Sequence, residues 1–443
     1  MLKITKNAGT PGHPVHSARP KASDAVTVLT FYLLVLLVVP SDRRVAALGG
    51  AGAPAGLFAL ASLLWWCWHH IQHPHAAWTR RFQPVRTAMF VYCAAVAASY
   101  AMASLSALPP TDISVADMGL LRVAAFAGIL LVANDGVPSG ERFLVLIRRL
   151  CLLAGLYAGL GLVQFFTGIS IVDSIQIPGL TSSAVGGTEA RAGFIRADAT
   201  AMHPLEYAMV LVMALPFCLT LALYDKKRSA FLRWFPVAAI ALSSVLSVTR
   251  SALLGLVAVV LVLLPTWPRA ARRGMIAAFA VVLVGVYVAV PGMMGTIVGM
   301  FSGGSSSVSS RTSSYDTVVG FVELSPFFGR GFGTFLPSYR ILDNQYLSAA
   351  IETGLVGIIA LLLVIVCAGA VALAGSRREP DPLLKHLGTA LLASTIGGAL
   401  LTAFFDCFAF PQACGMLFLV LGLCGSYWNL TRNSVPAKPV AAP

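Results

Sequence analysis

Long apolar runs broken by short polar punctuation dominate the chain. Twelve stretches, near 25–40, 46–68, 87–108, 118–134, 149–167, 204–223, 234–249, 251–267, 274–297, 346–374, 384–405 and 409–428, are apolar enough to be read as membrane-spanning helices. The gaps between them are short, with two exceptions at 168–203 and 298–345. The second opens on the Gly/Ser-rich run SGGSSSVSSRTSS and continues through SPFFGRGFGTF. Loops this long in a compact protein are usually functional or disordered, and their phenylalanines argue for packed structure. The expected organisation is a cytoplasmic tail over 1–24, one transmembrane domain over 25–430, and a cytoplasmic tail over 431–443.

Composition agrees. Of 443 residues, 57% are hydrophobic and 11% charged, whereas soluble domains carry about 25% charged residues. The net charge of +13 first suggests nucleic acid, but its placement does not. With the N-terminus inside, 22 of the 31 Lys and Arg residues fall in inner segments, eight in outer ones, and one, Arg122, within a span. That asymmetry is a topology signal. The eight cysteines lie in or beside apolar runs, form no CxxC pair, and read as small buried hydrophobes. The first span has no cleavage site and reads as an uncleaved anchor.

All eight outward basic residues are arginines, the side chain suited to forked contacts with phosphate or carboxylate. Four places gather polar groups at the outer lip. GFIRADATAMHPLEYAMVLVMALPF, 193–217, carries Arg196, His203 and Glu206, with Arg191 just before it. Pro204 suits a first helical turn, and Glu206 would lie near the positive end of the helix dipole. LSVTRSALLGL places Arg250 at a tight outer turn. GRGFGTF holds Arg330 among glycines at 329, 331 and 333, a pattern read as close backbone turning or an anion nest. LDNQYL places Asp343 and Asn344 at the mouth of the tenth span, where either could cap a helix, and Glu352 lies within that span. Asp406 reads as structural. His69 and His73 are spaced to share a metal but have no acid or Cys nearby, and no metal motif occurs on the outer face.

Arginines at an outer leaflet, away from ATP, suit a donor that arrives already activated, such as a sugar on a polyisoprenyl diphosphate. Arginines would stabilise the leaving diphosphate, and a carboxylate or His would take a proton from the acceptor hydroxyl. A transporter or flippase of lipid-linked glycan is the main alternative, and a sensor or scaffold a third; a transporter should bury its charges near the bilayer midplane.

RADATAMHPLEYAMVLVMALP, LSVTRSALLGL, RTSSYDTVVGFVELSPFFGRGFGTF and DNQYLSAAIETGLVG, in that order over roughly 190–375, resemble successive blocks of the O-antigen ligase and polymerase family. The resemblance implies an all-α, GT-C-like membrane fold. It further implies transfer or polymerisation of glycan units from an undecaprenyl-diphosphate donor at the outer face of the bacterial cytoplasmic membrane. Neither cofactor nor metal is implied. The implied partners are the lipid-linked donor, a glycan or lipid-glycan acceptor, membrane lipid and, as an optional partner, a chain-length regulator; nucleic acid is not among them. Arg196, Arg250 and Arg311 match positions the family uses for the lipid diphosphate, and Arg191, Arg330 and Asn344 complete the substrate-binding candidates. Ligases typically place a His where this chain has Asp343, so Asp343, Glu206 and His203 all stand as candidate bases, and a polymerase or exopolysaccharide-type transferase is favoured over a lipid A–core ligase.

Overall fold

The computed structural model describes residues 24–72, 82–106, 109–170, 172, 175–182, 190–191, 194–247, 249–290, 292, 295, 315 and 317–433. Both tails, His73 and the whole Gly/Ser run, Arg311 included, lie outside them. The long α-helices there are α1 (Ala25–Val38), α2 (Pro54–Gln72), α3 (Pro84–Leu105), α4 (Pro110–Asp135), α5 (Gly140–Thr167), α6 (Pro204–Tyr224), α7 (Ala230–Leu246), α8 (Arg250–Leu263), α9 (Arg269–Ala289), α10 (Gln345–Arg378), α11 (Pro382–Leu401) and α12 (Pro411–Asn433), and residues 317–324 add a short helical segment. Eight helices are long and apolar enough to cross a membrane, and α1, α7 and α8 are shorter apolar helices. The expected all-α polytopic membrane fold is borne out.

Helix limits depart from the apolar runs, because caps and prolines set them. The run at 46–68 divides into a 3-10 segment, Ala46–Ala51, kinked inside at Gly49 (φ 49°), and α2 starting at Pro54. α5 starts at Gly140, capped by the Ser139 side chain, which accepts from the Arg142 N–H. α4 starts with Pro110 in its first turn.

The helices alternate between two ends. Turns rich in Lys and Arg gather at one, the basic end, and the long connections gather at the other, the loop end. Helices α6 and α12 form the centre, with 89% and 83% of their apolar windows buried. Around them α4 packs on α2 and α12, α10 on α3, α11 and α12, and α5 on α1, α6 and α7. Helix α9 is only 6% buried and meets the body near its loop end, where Val286 and Val290 join Val245 and Leu246 of α7. Two two-residue ladders tie the loop end: Arg43–Arg44 with Thr181–Ser182, and Ala190–Arg191 with Phe194–Ile195.

Helix α10 is interrupted at Gly354 (φ 63°, ψ −167°), a conformation open in practice only to glycine. An unbroken helix would bond the Leu355 and Val356 N–H groups to the Ile351 and Glu352 carbonyls. Instead Leu355 donates to the Pro326 carbonyl (2.9 Å) and Val356 to that of Phe327 (3.1 Å). The freed carbonyls accept from the N–H groups of Arg330 (3.1 Å) and Gly331 (2.9 Å). The connection thus inserts into the helix and satisfies all four opened groups, the condition for irregular backbone at membrane depth. Glycines permit the approach: a Cβ at Gly329 would overlap the Glu352 carbonyl, and one at Gly354 the Phe327 carbonyl. Of the two readings of GRGFG, close backbone turning is the one this geometry uses.

Gly329→Ala should therefore lower stability by about 3 kcal/mol through positive φ (67°) and backbone overlap. Gly320→Ala, where added Cβ meets nothing within 4 Å, should change it little. Thermal melts of the detergent-solubilised proteins measure both.

Candidate functional site

The lip of α6 is organised by Glu206. His203 caps the helix, its Nδ1 accepting from the Leu205 N–H (3.1 Å), and Pro204 occupies the first turn. Glu206 is wholly buried. Its Oε2 accepts from Ser41 Oγ (2.7 Å) and the Met202 N–H (3.1 Å), while Oε1 accepts from the Gln412 N–H (2.6 Å). A carboxylate thereby sits at the N-terminus of α12, where the helix dipole favours it. Gln412 extends the network to Tyr157 on α5 and Thr200 in the lip loop. One acid joins the end of α1, α5, α6 and α12.

Next along the lip, Gln164 straps Ala199 by its N–H (2.6 Å) and its carbonyl (3.0 Å). Arg196, 7% exposed, donates from Nη2 to Thr249 Oγ1 (3.2 Å). Thr249 immediately precedes Arg250, the first residue of α8. The structure thus brings Arg196 to the corner where Arg250 begins its helix. The side chain of Arg191 lies outside the described residues.

Arg330 has a different setting. Its Nη2 contacts Asp112 Oδ2 at 2.6 Å, Tyr339 shares that oxygen at 3.1 Å, and the guanidinium lies 5.0 Å from the Tyr339 ring centre. This triad anchors the inserted connection to α4. Glu352 serves the same segment by accepting from the Phe335 N–H (3.4 Å).

A cleft of about 180 Å³ opens between α1, α2, α4 and the start of α12. Arg44 and Arg122 line it, together with Leu57, Leu60, Phe126 and Ile129. Burial, followed by the like charge of Arg122, lowers the Arg44 pKa. Among the described residues, Arg44 Nε is buried without a hydrogen-bond partner. Two guanidiniums sharing an apolar cleft repel one another, and an anion between them would relieve that repulsion. Neither was singled out as a ligand from sequence, although an arginine within a span, as Arg122 is, is a pointer to function.

Arg122 reaches the turn between α11 and α12, donating to the Phe408 carbonyl at 3.4 Å. At the other end of that turn Asp406 accepts from Ser348 Oγ (2.6 Å) and lies beside Asp343. Burial, with the Asp343 charge adding to it, raises the Asp406 pKa. Asp343 is half-buried at φ 51°, and Asn344 caps α10 by accepting from the Tyr346 N–H (3.0 Å). Gln345 fastens the turn, accepting from the Phe408 N–H (2.8 Å). Asp406 fastens this turn to α10, as its structural reading expects, and also stands beside Asp343, 63 residues earlier in the chain.

The fold and site define a multi-pass, all-α membrane protein with an arginine-lined cleft and paired carboxylates at its loop end. Residues 235–362 match the O-antigen ligase family model. That domain supports an O-antigen ligase and polymerase family assignment, and with it involvement in ligation or polymerisation of O-antigen-type polysaccharide. Comparison with curated proteins finds no match.

Glu206→Ala leaves buried donors unpaired and should cost about 3 kcal/mol or more. Thermal stability and product formation should fall together, in contrast to a base, whose loss leaves stability intact.

Proposed function

We propose that the chain is a glycosyltransferase of the bacterial cytoplasmic membrane, with its loop end outward. It would take glycan units from a polyisoprenyl-diphosphate donor without a metal. The observation that carries this reading is the Arg44–Arg122 pair at the head of an apolar cleft. A diphosphate would sit between the guanidiniums and the polyisoprenyl chain along the leucine and phenylalanine walls. Arg196 and Arg250 form a second cationic corner, for the far side of the diphosphate or the glycan, with Arg311 and Arg191 proposed beside them. The outward orientation follows from the Lys/Arg bias toward the other end.

Asp343 is the base in this mechanism. It takes the acceptor hydroxyl proton as the acceptor oxygen bonds to the anomeric carbon. The bond from that carbon to the diphosphate oxygen breaks, and the diphosphate leaves with the electron pair, its charge met by arginine. His203 is better placed to donate. With Nδ1 capping α6, the neutral ring carries its hydrogen on Nε2 and can offer it to a phosphate oxygen. Glu206, enclosed by its donors, positions the lip, as Asn344 and Arg330 position α10 and its inserted connection.

Protein in nanodiscs with a polyisoprenyl-diphosphate-linked repeat unit should yield product. Arg122→Ala, Arg196→Ala and Asp343→Ala should each lower turnover by roughly 100-fold or more while the melting temperature holds. A ladder of products identifies a polymerase, and turnover only with a separate acceptor a ligase. Donor binding without turnover under either condition would overturn the reading in favour of carriage.

The acid limb of the rate profile should include the ionisation of Asp406, the partly buried neighbour of the proposed base. Burial makes Asp406 hold its proton to higher pH than an exposed aspartate does. In Asp406→Asn the limb should move to lower pH, because the group that ionises late is gone. An unmoved limb would place the base elsewhere.

A further inference from the structure

A second cleft, of about 410 Å³, lies at the basic end between α5, α6 and α7, on the far side of the molecule from the Arg44–Arg122 cleft. Five arginines line it, from residues 142, 148, 149, 228 and 233, against one acid, Asp225. Two of the five are neutralised. Arg148 grips Asp225 by two bonds (2.7 and 2.9 Å), and Arg142 grips Asp24 by two (2.5 Å each). The other three grip no carboxylate of the lining, although Asp225 also feels the charge of Arg228. Arg149 donates to Thr30 Oγ1 (2.8 Å) and Arg233 to the Ala222 carbonyl (3.0 Å), both uncharged acceptors. Arg233 Nε is buried with no hydrogen-bond partner among the described residues. Asp135, Glu141, Glu379 and Asp381, the other acids near this end, do not line the cleft, and Asp135 pairs with Arg86.

Residues 1–23, 73–81 and 434–443, the remaining sequence expected at this end, contain no Asp or Glu. The walls are apolar, with Leu152, Leu221 and Pro236 among them. At the rim, Leu152 (41% exposed), Leu232 (44%) and Phe231 (73%) face out from the bundle. A cationic floor under an apolar side opening matches the chemistry of a two-part ligand, a phosphodiester with hydrocarbon attached.

We propose that this cleft binds the phosphodiester headgroup of an anionic membrane phospholipid, with its acyl chains lying along Leu152, Phe231 and Leu232. Arg149, Arg228 and Arg233 supply the charge. A bound lipid would fasten the α6–α7 turn to α5 by neutralising cations that otherwise repel. The site is separate from the transfer chemistry, so its test does not depend on any product being formed.

The test uses the full chain, purified in neutral detergent and stripped of lipid. Phosphatidylglycerol and phosphatidylcholine of identical acyl composition are added, and binding is read by native mass spectrometry beside the thermal melt. Phosphatidylglycerol should bind and raise the melting temperature. Phosphatidylcholine should do neither. The double variant Arg149→Gln, Arg228→Gln should keep the lipid-free melting temperature but bind phosphatidylglycerol roughly 10- to 30-fold more weakly. Raising salt from about 0.1 M to 1 M shortens the screening length from about 10 Å to 3 Å, and should weaken wild-type binding without any variant. Equal binding of the two lipids, or undiminished binding by both the variant and the high-salt wild type, would overturn the proposal. Equal protection by soluble glycerol phosphate would also overturn it, assigning the cleft to a free anion.

Discussion

The backbone exchange between the 326–331 connection and α10 holds the loop end in register. Two helical hydrogen bonds open, and four from the connection replace them in kind. Because the exchange is backbone to backbone, it fixes position to within a residue and tolerates no Cβ at Gly329 or Gly354. Everything at the mouth of α10 inherits that precision. Glu352 and Ser99 fasten the same junction, Glu352 through Phe335 and Ser99 through the Glu352 carbonyl. The Asp112–Arg330–Tyr339 triad then secures its outer side to α4.

A second hub is the short turn between α11 and α12. It presents Asp406 to α10, the Phe408 carbonyl to Arg122, the Phe410 ring to His203, and the Gln412 N–H to Glu206. Elements far apart in the chain meet at four successive even-numbered positions. The carboxylate pair and the arginine cleft are therefore parts of one rigid unit, with the cationic and anionic sides held apart by the turn itself.

Much of the architecture was legible because a membrane helix must be apolar and about as long as the hydrocarbon is thick. The twelve long helices coincide with apolar runs, whereas the short helical segment at 317–324 does not, and the family blocks pointed to the domain now matched at 235–362. Helix limits were less legible, since Ser139 or Pro110 can begin a helix well before hydropathy rises. The polar lip was legible as a cluster but not as a division of labour. Nothing local distinguishes Glu206, closed by donors from α1 and α12, from Asp343, which stands half-buried beside Asp406. Arg44 resembled any residue after a span until the fold placed it beside Arg122. Such assignments depend on contacts between residues separated by more than sixty positions.

The backbone at Asp343 is left-handed, with φ at 51°. Asn, Asp and His are the non-glycine residues most at home there, whereas branched side chains are strongly disfavoured. That short set includes both the aspartate of this chain and the histidine that the resembling ligases place at the corresponding position. The fold thus acts as a filter on identity: it admits a carboxylate or an imidazole through the same bend, with Asn344 still free to cap the helix. If Asp343 has the role proposed for it, a lineage could exchange one proton acceptor for the other, and with it the pH at which the enzyme works, without rebuilding the loop.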